Sequence, residues 1–293
     1  MRFVTFEKNG QSAVGCLGPD GNAIIDLTGA GIPGDLSSLV EMGEKGRVMA
    51  EKASQTGERV TLSEVTLLAP FPRPRRNIIC VGKNYFEHSK EFEKSGFDST
   101  SGGQEIPDAP VIFTKATTSV IGPGEPIPAS SDPSSSTDYE GELAVVIGRT
   151  GRNVARADAY DYVCGYTIIN DVTARTLQQV HKQWFLGKSL DGFCPMGPFF
   201  ITSDEIEDIT ALTITTRING ELRQQACVKD LIFDIPTIIE TVSSLITIIP
   251  GDIIATGTPA GVGIGFTPPK FLKPGDTVVI AIDHMGTLEN HVI

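Results

Sequence analysis

Tyr139-Glu140-Gly141-Glu142-Leu143-Ala144-Val145-Val146-Ile147-Gly148 decides how this chain is read. Residues 143–147 are an unbroken apolar β-type run, and residues i and i+2 of a strand project from the same face. Glu140 and Glu142 therefore send two carboxylates the same way from the mouth of a buried strand. Paired like charges there are costly unless something positive lies between them. A second apolar run, 163–170, ends at Asn170-Asp171 and offers a third carboxylate. Three oxygen ligands with no His or Cys suit a hard ion, Mg²⁺ or Mn²⁺ ahead of Ca²⁺, with positions left for substrate and water. The plain alternative is a solvated strand face followed by a turn Asp, and spacing alone does not choose between the two.

Outward from this stretch, strands dominate. They are predicted at 78–81, 111–114, 143–147, 166–169, 212–218, 252–255 and 278–282, with Asn219-Gly220 turning between two strand-like runs. Helical pattern is confined to a few places, chiefly 157–162, 173–179 and 235–246. Strands without regular helical crossovers predict a β-rich α+β fold and not a doubly wound sheet. Residues 1–70 form a small N-terminal α/β unit: two short strands flank the turn at 18–21, and a helix near 35–54 carries Leu36, Leu39, Val40 and Met42. The Pro-rich, basic segment 68–76 reads as an extended linker into a larger unit, 71–293.

Bulk properties narrow the function. A chain of 293 residues can bury a sizeable core. A net charge of −12 argues against nucleic acid or an anionic membrane as partner, yet leaves room for an anionic small substrate beside a local cation. No apolar run reaches the roughly 18 residues of a membrane span, and the first residues lack the order of a signal peptide. Five dispersed cysteines without metal-type spacing fit reduced thiols in the cytoplasm.

A second constellation follows the strand at 78–81. In Gly82-Lys83-Asn84-Tyr85-Phe86-Glu87-His88-Ser89-Lys90-Glu91, a helix from about 86 sets His88 and Glu91 one turn apart on one face. A carboxylate beside imidazole fixes its tautomer and raises its basicity, as a general base requires. Most such pairs are incidental surface pairs. The stretches 93–109, polar and Gly/Ser-rich, and 129–138, with five Ser, are long loops of the kind that form lids beside a site.

Taken in order, GKNYFEHSKE, DYEGELAVVIG, IINDVTARTLQ, GKSLDGFCPMGP and IIATGTPAGVGIGF resemble the fumarylacetoacetate hydrolase family over about residues 75–293. The similarity is nearest to the bacterial branch with acylpyruvate hydrolases and oxaloacetate decarboxylases, whose members carry a short extra N-terminal unit. The resemblance implies a mixed β-sandwich roll, a homodimer, and Mg²⁺ or Mn²⁺ on Glu140, Glu142 and Asp171. It implies a water-activating dyad in His88 and Glu91, on a segment, 86–104, that orders as a lid. It further implies that Arg175, Gln178 and Lys188 line the site, and that Thr258 holds the carboxylate of a 2-oxo acid. One departure is Gly192, where relatives often carry Thr or a similar residue, a change expected to alter pocket shape.

The implied activity is metal-dependent C–C bond cleavage of short 2-oxo or 2,4-dioxo acids, with Lys188 offsetting the charge of the departing enolate. Oxaloacetate decarboxylation is favoured, with acylpyruvate hydrolysis close behind, since fold does not choose between them. Isomerase or decarboxylase work in aromatic-acid degradation uses the same ligands, and a non-catalytic binding protein would have lost some of them. The glycines of 257–265 lack both the Gly-x-Gly-x-x-Gly order and a following helix, so they are read as a close backbone approach beside Thr258 and not as a dinucleotide loop. Trp184 and Phe185 are read as core or pocket wall.

Overall fold

The computed structural model describes residues 1–18, 21–97 and 106–293. The turn expected at 18–21 and the lid expected at 86–104 therefore lie partly outside the described residues, as does the loop 93–109. The first strand, Arg2–Lys8, pairs antiparallel with Gln11–Leu17, which pairs with Ala23–Asp26, which pairs with Arg59–Thr61. Between the last two strands run helices α1, Leu36–Glu41, and α2, Glu44–Thr56. The sequence predicts one helix here. Gly43 adopts φ +55 and breaks it, a conformation glycine accepts without the penalty a side chain brings.

The N-terminal strands do not form a separate sheet. Arg2 and Phe3 pair with Ile201 and Phe200 of the strand Cys194–Thr202. From there the sheet continues through Val163–Asn170, Gly141–Ile147, Ile253–Ala255 and Ile78–Gly82 to the edge strand Val111–Lys115. The join between Ile253–Ala255 and Ile78–Gly82 is parallel and its neighbours are antiparallel, so the sheet is mixed. A second antiparallel sheet, ordered Glu221–Cys227, Thr213–Ile218, Thr277–Ile282 and Thr287–His291, packs on it. The architecture is the expected β-rich α+β sandwich.

Strand Gly141–Ile147 shows why its sequence is continuously apolar. Leu143, Val145 and Ile147 join the core shared with Ile214, Val278 and Ile280 of the second sheet. Ala144 and Val146 join a different core with Leu36, Leu39 and Phe200. A strand covered on both faces cannot alternate with polar residues. The segment read as a linker is buried in its first half and exposed at its arginines: Phe71 is inside, edge-on to Phe200 at 5.5 Å. Helix α3, Phe86–Lys94, carries His88 and Glu91 as predicted. Farther along, Thr173–Ala174 is a short strand paired with Thr137–Asp138, and helix α4 starts only at Arg175. Helix α5, Phe185–Lys188, follows, and α6, Ile235–Leu245, covers the predicted 235–246. The segment 156–162 is a 3-10 helix.

Candidate active site

Two adjacent strand ends assemble the carboxylates. Gly141 pairs with Asn170 across the ladder, and just beyond that pair the Asp171 N–H donates to the Glu140 carbonyl at 2.8 Å. Asn170 Oδ1 accepts from the Glu140 N–H at 3.0 Å, closing the join from the side-chain direction. As a result Glu140, Glu142 and Asp171, all buried, bring ligand oxygens within 4.8 Å of one another. The three residues expected to share a cation are therefore together.

Cations of the chain surround this cluster. Lys188 Nζ lies 2.6 Å from Glu140 Oε2 and 2.7 Å from Asp171 Oδ2. Arg175 Nη2 is 2.6 Å from Glu140 Oε1, and its Nε is 2.9 Å from Asp138 Oδ2. Lys115 Nζ is 2.7 Å from Asp171 Oδ1 and donates to the carbonyls of Val172 and Lys188. Glu140 is accordingly held below the usual carboxylate range: burial pushes it up, but Lys188 and Arg175 outweigh burial. Among the described residues Glu142 forms no ion pair, and Lys188 only partly offsets its surroundings. Its Oε2 accepts from the Gly257 N–H at 2.8 Å, yet burial, with Asp171 and Glu140 adding to it, pushes its carboxyl well above the usual range. A buried carboxylate that cannot ionise comfortably beside two others, in an all-oxygen set, fits a hard divalent cation.

Of the remaining expected residues, all but Glu91 line one cavity. His88, Glu140, Glu142, Arg175, Gln178, Lys188 and Thr258 all line it, with Lys83, Phe92, Phe113 and Trp184 as further walls. Its volume is about 20 Å³, room for water. His88 Nδ1 is 3.3 Å from Glu91 Oε2, the carboxylate–imidazole pair expected of the dyad. Glu91 in turn accepts from the Gly261 N–H at 3.1 Å on each oxygen. Thr258 Oγ1 donates to the Gly141 carbonyl at 3.0 Å and accepts from Gln224 Nε2 at 2.7 Å, while Gln178 Oε1 accepts from Arg175 Nη1 at 3.3 Å.

Gly257 explains the first glycine of its loop. At φ +107, a Cβ there would stand 2.7 Å from the Cβ of Asn84. Trp184 is a wall, as read from sequence, standing edge-on to Phe92 and Phe113 at 5.9 and 5.1 Å. Gly192 sits in a turn at φ +79 against Pro128 and is not among the residues that line the cavity. A larger groove of about 730 Å³, between α1 and the outer face of the main sheet, contains none of the clustered carboxylates.

Lys115, Asp138 and Gln224 are buried polar residues beside the site to which the sequence reading gives no role. Lys115 ends the apolar run Val111-Ile112-Phe113-Thr114, and a Lys in that place is the signal that was available. Asp138 stands two residues before Glu140, where it reads as part of a Ser-rich loop. Gln224 lies mid-strand, with nothing local to mark it.

The Fumarylacetoacetate (FAA) hydrolase C-terminal family matches residues 77–293, and the family Rv2993c-like, N-terminal, matches residues 1–70. The chain is 46% identical over 309 residues to Oxaloacetate tautomerase YisK of Bacillus subtilis (strain 168), covering 100% of each. It is 38% identical over 300 residues to Oxaloacetate tautomerase fahd2, mitochondrial, of Xenopus laevis, covering 100% of this chain and 90% of the other. Among solved structures, a fumarylacetoacetate hydrolase from Exiguobacterium antarcticum superposes with a TM-score of 0.86 at 42% identity, covering 100% and 99% of the two chains. Maleylpyruvate hydrolase from Sphingobium sp. SYK-6, in complex with manganese (II) ion and pyruvate, gives 0.80 at 32% identity over the same shares.

Proposed function

The chain belongs to the fumarylacetoacetate hydrolase family of enzymes, and we propose that within it the chain interconverts the enol and keto forms of oxaloacetate or a closely similar short 2-oxo acid. The observation that carries this reading is the placing of His88, oriented by Glu91, on the wall of the cavity that Glu140, Glu142 and Lys188 also line. The two relatives called oxaloacetate tautomerases support the substrate class. Tautomerisation needs only a proton moved between C3 and the 2-oxygen. His88 carries that proton at Nε2, since Nδ1 faces Glu91. Lys188, an ammonium held between two carboxylates, donates to the developing enolate oxygen. Arg175, Gln178 and Thr258 orient the substrate carboxylate.

Mg²⁺ or Mn²⁺ belongs to this proposal, held by Glu140, Glu142 and Asp171; such an ion supplies Lewis-acid polarisation of a 2-oxo group. Oxaloacetate decarboxylation, favoured from the sequence, shares the enolate but releases CO₂ from C4, and it asks nothing of His88. Hydrolysis of an acylpyruvate is the second reading. It is favoured by the same dyad, which can deprotonate a water held in a cavity of about 20 Å³. The division into units 1–70 and 71–293 is also part of this reading. Two separate family matches support it, although one sheet runs through both. So are a homodimer, checked by sedimentation mass, and a cytoplasmic place. Among the described residues no helix is long and apolar enough to cross a membrane.

The test offers oxaloacetate and acetylpyruvate with Mg²⁺ or Mn²⁺, corrected for metal-only reaction. Enol absorbance, CO₂ and acetate are followed together. Enol–keto interconversion should outrun both cleavage reactions. CO₂ release outrunning it would return the enzyme to the decarboxylases, and acetate release outrunning it to the hydrolases.

A further inference from the structure

The segment Gly261-Val262-Gly263-Ile264-Gly265 spaces three glycines by two, and two of them bear on the same carboxylate. Glu91, on α3, receives the Gly261 N–H on both oxygens at 3.1 Å. A Cβ at Gly265 would stand 1.7 Å from Glu91 Oε1, which no rearrangement short of moving the carboxylate could absorb. At Gly261, φ is +105 and a Cβ would stand 1.9 Å from the Arg223 carbonyl, so the N–H that meets Glu91 is available only on a glycine. Glu91 Oε2 is the oxygen that faces His88 Nδ1 at 3.3 Å.

The same loop is anchored from the other side by Asp138. Its Oδ1 accepts from the Gly263 N–H at 2.6 Å and its Oδ2 from the Ile264 N–H at 3.1 Å. The intervening side chains are apolar. Val262 and Ile264 pack in a small cluster with Phe92 of α3 and with Trp184. The loop thus offers α3 an N–H for Glu91, a gap where a side chain would displace that carboxylate, and an apolar surface for Phe92.

We propose that residues 261–265 are the seat on which α3 closes, and that Gly261 and Gly265 are positioning residues which fix Glu91 and, through it, the ring of His88. This rests on the reading that His88 moves the proton. The experiment is a double-mutant cycle on the full chain with Gly265→Ala and Glu91→Ala, following enol–keto interconversion and, by calorimetry, Mn²⁺ affinity. Gly265→Ala alone should slow the reaction about 100-fold, the cost of an ångström-scale misplacement, with Mn²⁺ affinity unchanged. In the Glu91→Ala background it should cost nothing further. Equal losses in both backgrounds, or Mn²⁺ affinity lost with activity, would overturn the proposal.

A measurement without any change in the loop guards against a misfolded variant. Amide exchange at Gly261 should quicken in Glu91→Ala, with the central sheet unchanged; unchanged exchange at Gly261 would overturn the seat. If His88→Ala left interconversion intact while Gly261 exchange still depended on Glu91, the proton-transfer reading would fail and the seat would stand.

Discussion

The N–H of Asp171 donates to the carbonyl of Glu140 at 2.8 Å, so two of the three clustered carboxylates ride on residues joined through their backbones. Neither can shift along its strand without the other. The register that begins with Gly141 opposite Asn170 thus carries the site geometry into the sheet. Asp171→Ala keeps that backbone bond but removes one carboxylate and leaves Lys188 and Lys115 short of a partner. It should abolish Mn²⁺ binding in calorimetry and with it turnover. Adding Mn²⁺ at about 100 times its dissociation constant should stabilise the wild type by about 2.7 kcal/mol and the variant not at all. Full turnover in metal-stripped wild type would remove the ion from the account.

Lys115 is fully buried and reaches Asp171 from the edge strand, while its ammonium also holds the carbonyls of Val172 and Lys188. Residues that orient a ligand in this way typically change metal affinity about 10- to 100-fold when lost. Lys115→Met, similar in length and uncharged, should weaken Mn²⁺ binding in that range. Unaltered affinity would make Lys115 a structural residue alone.

Asp132 organises the loop that leads to Glu140. Its carboxylate accepts from the backbone N–H groups of Ser134 and Ser136 at 2.9 and 2.8 Å, and from the hydroxyls of both. Burial would raise its pKa, but these hydrogen bonds outweigh burial and hold it below the usual range. A carboxyl lowered on folding stabilises the native state above its unfolded value, about 3.9, and that contribution is lost as pH falls through the lower folded value. Asp132→Asn should therefore cost about 1–3 kcal/mol at pH 7. The difference in melting temperature from wild type should shrink below about pH 4. A difference constant from pH 7 to pH 3 would contradict this.

His88 and Phe92 of α3 line the cavity, so the expectation that this helix acts as a lid can be tested directly. Oxalate, an analogue of the enolate of a 2-oxo acid, should increase amide protection across Phe86–Lys94 and leave the second sheet unchanged. Equal protection with and without oxalate would remove α3 as a lid.

The legible parts were those where one strand or one helix carries its own chemistry. Glu140 and Glu142 share a face by strand geometry, and His88 and Glu91 share one by helix geometry, so local spacing offers both pairs and the family resemblance chooses their functional reading. Strand Cys194–Thr202, at the centre of the main sheet, was not predicted, because Pro195, Gly197 and Pro198 read as breakers. Its pairing with Val163–Asn170 changes register between Tyr166 and Ile168, opposite the stretch that holds Pro198. The stretch near 35–54 reads as one helix because Gly43 is one residue in a helical pattern, and its positive φ is not written in its neighbours. In these contacts Lys115, Asp138 and Gln224 reach residues 37 to 83 positions away, so only the tertiary fold brings them to the site.

The most direct test is the rate of oxaloacetate enol–keto interconversion in wild type and His88→Ala, each loaded with Mn²⁺, with Mn²⁺ affinity and CO₂ release measured alongside. Loss of a general acid–base should slow interconversion about 10²- to 10⁴-fold, with metal affinity and decarboxylation little changed. Interconversion as fast in His88→Ala as in wild type would contradict the role given to the dyad.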